Sequence, residues 1–246
     1  MGASCRFEAA SFRQSSMSKG VRRWTRLPNK ELNLTTPTVL KAATVGVAEH
    51  ANSAVLVTVA LGGELLDRRR IDLTDRGVPT HPHHHEGSWA VGRYLNTPGA
   101  RVLSLAEAVA LVERVRALAA RGAREGLEAL AAAVPVPIAS IAIRACPSLP
   151  PTTAERIADN RAQTISDSVM YREALATAAE ARGWSVRWYD RERVFRDAAA
   201  ALGLEDVDAF LYAMGRSIGP PWQAKHKLAA AAALAQLRRF TGVGPT

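Results

Sequence analysis

The 246-residue sequence predicts an α/β domain built on a five-stranded mixed sheet of strand order 3-2-1-4-5, with helices on both faces. Three observations predict it. Residues 43–73 hold three apolar segments separated only by short turns, the pattern of an antiparallel meander. Two further apolar segments, 136–146 and 185–189, are each reached through a long helix, as parallel strands are. Hydrophobic residues make up 48% of the chain and charged residues 22%, which suits a chain that folds around a core rather than a disordered one or a rod.

The elements follow in order. ATVGVAE (43–49) is a short valine-rich run of the kind that forms a buried strand. HANS is a turn, AVLVTVAL (54–61) a second strand, Gly62-Gly63 a tight turn, and ELLDRRRIDL (64–73) a third strand. Residues 74–103 have no period; they contain prolines, glycines and the run HPHHHEGSW, and a loop of this length is often functional. Ser104 and Glu107 form a capping box that opens a helix extending to about residue 133. Its apolar stripe is Leu105, Val109, Val112, Val115 and Ala119, and Gly122 and Gly126 weaken it. VPIASIAIRAC (136–146) is apolar at nearly every position, as a central strand covered on both faces would be. Thr152 and Glu155 form a second capping box, whose helix is expected to run unbroken to about residue 182 and stop at Gly183. SVRWY (185–189) is the fifth strand, with Trp184 and Trp188 read as core residues. Two shorter helices, 191–202 and 206–217, precede the break at Gly219-Pro220-Pro221. An alanine-rich helix then covers 223–240.

Charge divides the chain unevenly. Residues 1–41 hold eight Lys/Arg against Glu8 and Glu31, so they carry +6 of the net +9. This segment reads as a disordered basic tail, either an electrostatic nucleic-acid contact or a dispensable extension preceding Met17. Residues 42–240 form the domain, with the His-rich insertion at 74–103, and 241–246 a flexible end. Two cysteines, Cys5 and Cys146, are too few for a disulfide framework. No apolar run approaches the roughly 20 residues that span a bilayer. A cytoplasmic protein is expected.

VGVAEHANSAVLVTV (45–59) resembles the first hairpin of the ribonuclease-H-like superfamily, in which an apolar-Gly-apolar-acid strand ends in a metal-binding carboxylate. VRWYDRERVFRDAA (186–199) is similar to the fifth strand and following basic helix of RuvC-type Holliday-junction resolvases. KHKLAAAAALAQL (225–237) resembles their final helix, where an acid or His precedes small residues. The resemblance covers residues 43–240 as a layout. It implies a metal-dependent nuclease or phosphodiesterase acting on nucleic acid, with two divalent ions about 4 Å apart in a carboxylate cluster. The sequence departs from that pattern. Ala48 or Glu49 falls where the first acid belongs, Arg144 sits near the place of the fourth-strand acid, and His226 takes the acid's place on the final helix.

The six histidines, His50, His81, His83, His84, His85 and His226, offer another donor set. Topology brings the carboxyl ends of strands one, three and four to one sheet edge, where ligand sites of open α/β sheets favour forming. The expected metal ligands are Glu49, His83, His85 and His226, for a divalent ion such as Mg, Mn or Zn. Glu49 and His226 are the expected catalytic residues, the imidazole able to exchange protons near neutrality. If HPHHHE is extended, His81, His83 and His85 point one way and His84 and Glu86 the other. Arg144, Arg156, Asn160 and Gln163 are the expected nucleic-acid contacts; the last three lie at helical spacing on one polar face beside a helix N-terminus. The alternative is a non-catalytic scaffold that binds nucleic acid or protein, favoured by the missing strand-four acid.

Overall fold

The computed structural model describes residues 42–84 and 102–237, all within the unit Leu40–Thr246. The expectations for residues 1–41, for 85–101 including His85, and for 238–246 lie outside the described residues.

Three strands, β1 (Ala43–His50), β2 (Ser53–Ala60) and β3 (Leu65–Asp72), form an antiparallel meander. A 3-10 turn at Pro82–His84 interrupts the segment expected to be irregular. Helix α1 (Leu105–Ala133) leads to β4 (Ile138–Arg144), which pairs with β1 in parallel. Helices α2 (Thr153–Ala158) and α3 (Asn160–Glu180) lead to β5 (Ser185–Tyr189), parallel to β4. Then come α4 (Val194–Leu202), α5 (Asp208–Ile218) and α6 (Ala224–Leu234). The strand order is β3-β2-β1-β4-β5. This is the ribonuclease-H-like arrangement, a mixed sheet with helices on both sides. No described helix is long and apolar enough to cross a membrane.

Strand alternation sorts the two cores. Val45 and Val47 of β1, Leu56 of β2, and Ile141 and Ile143 of β4 pack against α1 and α3. Ala48, Val57 and Ala142 face the other way, against α4, α5 and α6. Two glycines permit close approach. A Cβ on Gly46 would lie 1.8 Å from the Ala229 carbonyl oxygen, so α6 rests directly on β1. A Cβ on Gly122 would lie 2.4 Å from the Leu73 carbonyl oxygen, which is why α1 carries a residue that otherwise weakens a helix.

Both expected capping boxes form, at Ser104/Glu107 and Thr152/Glu155. The helix expected over 152–182 is instead two helices. Asp159 is extended (ψ 114°) and its carboxylate accepts from the backbone N–H groups of Arg161 and Ala162, at 2.7 and 3.0 Å. A side chain that satisfies free N–H groups starts a new helix as readily as it continues an old one. Helix α6 is shorter than its expected range among the described residues, ending at Leu234 before a turn. Trp184 is core, at 7% exposure, but Trp188 is 49% exposed. The cover of β5 gives out toward its carboxyl end.

Candidate functional site

Glu49 follows Val45 and Val47 on the α3 side of the sheet. There Arg172 of α3 meets it: Nε donates to Glu49 Oε1 at 2.7 Å and Nη2 lies 2.5 Å from the same oxygen. Arg172 Nη1 also donates to the Ala145 carbonyl at 3.0 Å, tying α3 to the end of β4. The two side chains are 4% and 8% exposed, so the pair is buried. Cys146 lies in the same surroundings; burial raises its pKa, against the pull of Arg172.

His83 is fully buried in the 3-10 turn. Its backbone N–H and its Nδ1 both bond Asp167 Oδ1 on α3, at 3.0 and 2.7 Å. His84 Nδ1 stands 2.8 Å from Asp167 Oδ2 without hydrogen-bond alignment. Burial pushes the Asp167 carboxyl up, but the contacts with His83 and His84 together outweigh it and hold it below its ordinary value. Tyr171, one turn along, donates to the Thr80 carbonyl at 2.9 Å. The turn is therefore pinned to α3 by an internal polar network. Sequence reading found these histidines but missed Asp167 and Arg172. Neither stands in a motif; the signal available was a charged residue on a helix that otherwise faces a core. His81 lies near enough to His50 and His84 for their charges to oppose its protonation, although desolvation is the larger cause of its lowered pKa. His50 and the 81–84 turn do converge at the carboxyl edge.

His226 belongs to the other face. It stacks on Trp222 at 5.8 Å between ring centroids, and its Nδ1 accepts the Gln223 N–H at 3.1 Å, capping α6. Desolvation, then repulsion from Arg68, lowers its pKa. The structure thus brings Glu49 and His83 to the α3 side of the sheet and His226 to the α6 side. Among the described residues no three His, Cys, Asp or Glu are grouped as a metal ion would require.

The nucleic-acid candidates divide similarly. Gln163 is buried and donates to the Ile157 carbonyl at 2.7 Å; Arg156 donates to the Pro150 carbonyl at 2.8 Å. Both serve the turn between α2 and α3. Asn160 is exposed at the first residue of α3.

Arg144 is different. It follows Ala142 by two residues and so faces α6. Since Gly46 pairs with Ala142, the same register carried two residues on sets Arg144 beside Ala48. Gly46 meets Ala229 and Ala233, while Leu237 lines Gly63 at the opposite end of β1. Helix α6 therefore runs antiparallel to β1 and points its N-terminus at this edge. Lys225 arrives with it. Desolvation lowers the Lys225 pKa, with Glu49 opposing and Arg70 adding to the shift. Tyr189, in register with Arg144, donates its hydroxyl to the Val47 carbonyl at 2.8 Å. Its pKa is raised by burial first and by Glu49 next, with Arg144, Arg172 and Arg191 pulling the other way. Around Ala48 the edge thus carries Arg144, Arg191, Lys225, Arg70 and a helix N-terminus, all of positive sign. The only carboxylate close by among these groups, Glu49, is matched by Arg172.

No protein-family model matches the sequence, and neither does any curated protein. Among solved structures, the chain is similar to Thermus thermophilus RuvC in complex with a Holliday junction substrate, at 17% identity and a TM-score of 0.46, covering 82% of this chain and 96% of that one. It is also similar to another Thermus thermophilus RuvC structure, at 16% identity and a TM-score of 0.41, covering 81% and 96%.

Proposed function

We propose that this chain is a ribonuclease-H-like nucleic-acid-binding module that holds phosphates with fixed cations at the carboxyl edge of its sheet. The observation that carries the reading is Arg144 beside Ala48, under the N-terminus of α6 and Lys225. The resemblance to RuvC-type nucleases leads one to expect carboxylates there, and a pair of divalent ions between them. The residues present do not fit such ions. Ala48 offers no donor, Arg172 already occupies Glu49, and two unit charges of like sign 4 Å apart repel by about 4 kcal/mol at an effective dielectric near 20. The same charges attract a phosphodiester. Each phosphate neutralised releases counterions, which makes binding salt-dependent.

The metal-dependent phosphodiesterase reading requires Glu49 to leave Arg172 and join His83, His85 and His226 on one ion. One set of measurements separates the two. Fluorescence anisotropy of labelled DNA and RNA should show binding that is unchanged by a chelator and weakened about tenfold or more in Arg144→Glu/Lys225→Glu, a charge reversal at two phosphate contacts. Incubation with Mg²⁺ or Mn²⁺ should leave the nucleic acid intact. Cleavage that needs a divalent ion and disappears in Glu49→Gln would overturn the binding-module reading in favour of the nuclease.

A further inference from the structure

Trp188 has no role in the fold that accounts for it. It sits on β5, the outermost strand, on the face it shares with Trp184 and Val186. Along that face Trp184 is buried, Val186 is half-buried and Trp188 is 49% exposed. Arg182 stacks 5.5 Å over the Trp184 ring, so the two indoles of one strand are treated differently. Leaving half of a large apolar ring in water forfeits burial at roughly 25 cal/mol per Å². Trp188 also stands at a particular place. Its register partner is Ile143, and the next pair along is Arg144 with Tyr189. Arg187 before it and Arg191 after it are both exposed, while Asp190 is turned to its own loop, accepting the Glu192 N–H at 2.8 Å.

We infer that Trp188 is a base-stacking residue and that the nucleic acid held at the cationic edge is single-stranded there. This rests on the reading of that edge as a phosphate-binding surface. Phosphate contacts alone do not distinguish strands, because every nucleic acid carries them. An indole beside them does. A duplex keeps its bases stacked inside, so one ring at its surface meets only backbone. A single strand can lay a base on the ring while its phosphates reach Arg144 and Lys225 one strand away. Stacking of this kind is tolerant of sequence, since every base has a π-face.

The test uses the full chain with two labelled probes, a short oligo(dT) and a blunt duplex of mixed sequence. Trp188→Ala should weaken oligo(dT) binding by about tenfold, the order expected for one stacked base, and leave duplex affinity unchanged. Trp188→Phe should restore most of the loss, because it keeps a ring. The inference is overturned if Trp188→Ala alters neither affinity or lowers both equally. It is overturned too if the substitution changes the sedimentation of the protein but not oligo(dT) binding, which would make Trp188 a contact with a second copy. Arg144→Glu/Lys225→Glu separates the two layers of the argument: if it weakens both probes while Trp188→Ala affects neither, the edge stands and the single-strand assignment falls. If it affects neither probe, the edge itself is refuted.

Discussion

Arg172 brings a guanidinium into the interior of the domain only because Glu49 is there to receive it. Desolvating two charges costs several kcal/mol per ion, and the attraction repays that cost only when geometry is good and spare donors are satisfied. Both conditions are met here: Nε and Nη2 address one carboxylate oxygen and Nη1 takes the Ala145 carbonyl. Arg172→Met, which strands the Glu49 charge, should cost about 3–5 kcal/mol of stability in denaturant unfolding. Glu49→Leu/Arg172→Met should cost less than the single change, because no unpaired charge remains. A double variant that is less stable than Arg172→Met would show that the pair does more than neutralise itself. Glu49 was legible in the sequence as an acid at a strand end. Its partner was not, because the two lie 123 residues apart and only the fold joins them. For His226, the capping hydrogen bond to Gln223 was not legible either; a histidine three residues into a helix has no spacing that separates a cap from a ligand.

At the level of elements, the strands, their order and the capping boxes could be read from local pattern, since period and cap chemistry act over a few residues. The break between α2 and α3 could not. Asp159, Arg156 and Gln163 look like one polar helical face, and the same polar atoms also suit a turn in which they bind nearby carbonyls and N–H groups. The break has a pH signature. Hydrogen bonds from the Ala162 and Arg161 N–H groups hold the Asp159 carboxyl below its ordinary value of 3.8. A depressed folded-state pKa gives stability that is complete above the unfolded value and lost as pH falls through the folded one. Compared with Asp159→Asn, which retains an acceptor but no charge, the wild-type chain should be more stable at neutral pH. That advantage should shrink steadily as pH falls below 3.8. Urea midpoints of the two proteins across an acid series measure it, and a constant difference would mean that the carboxylate charge plays no part. Glu155 titrates in the same direction, held down by the Thr152 hydroxyl and N–H.

The whole molecule separates charge that acts on partners from charge consumed inside. The run Arg68-Arg69-Arg70 looks like a nucleic-acid patch in sequence. In the fold, Arg68 clamps the carbonyls of Gly219 and Pro221, Arg69 pairs with Asp67, and Arg70 pairs with Asp72. Deleting residues 1–41 removes +6 of the +9 charge. The shortened chain should bind nucleic acid more weakly and with a shallower salt slope, each lost phosphate contact lowering the slope by roughly 0.7–0.9. It should still respond to Arg144→Glu. A salt titration showing no residual binding would assign all affinity to the tail. The feature that makes the edge readable is the contact of Gly46 with Ala229 and Ala233, where α6 meets β1 with no side chain between them. A joint of that kind sets the height of the helix by backbone alone, whatever residues stand at positions 48, 144, 225 and 226. Those positions can then be exchanged one at a time without refitting the scaffold. A lineage built on this frame could trade carboxylates for cations in single viable steps, so the inheritance of the fold and the inheritance of its chemistry become separable.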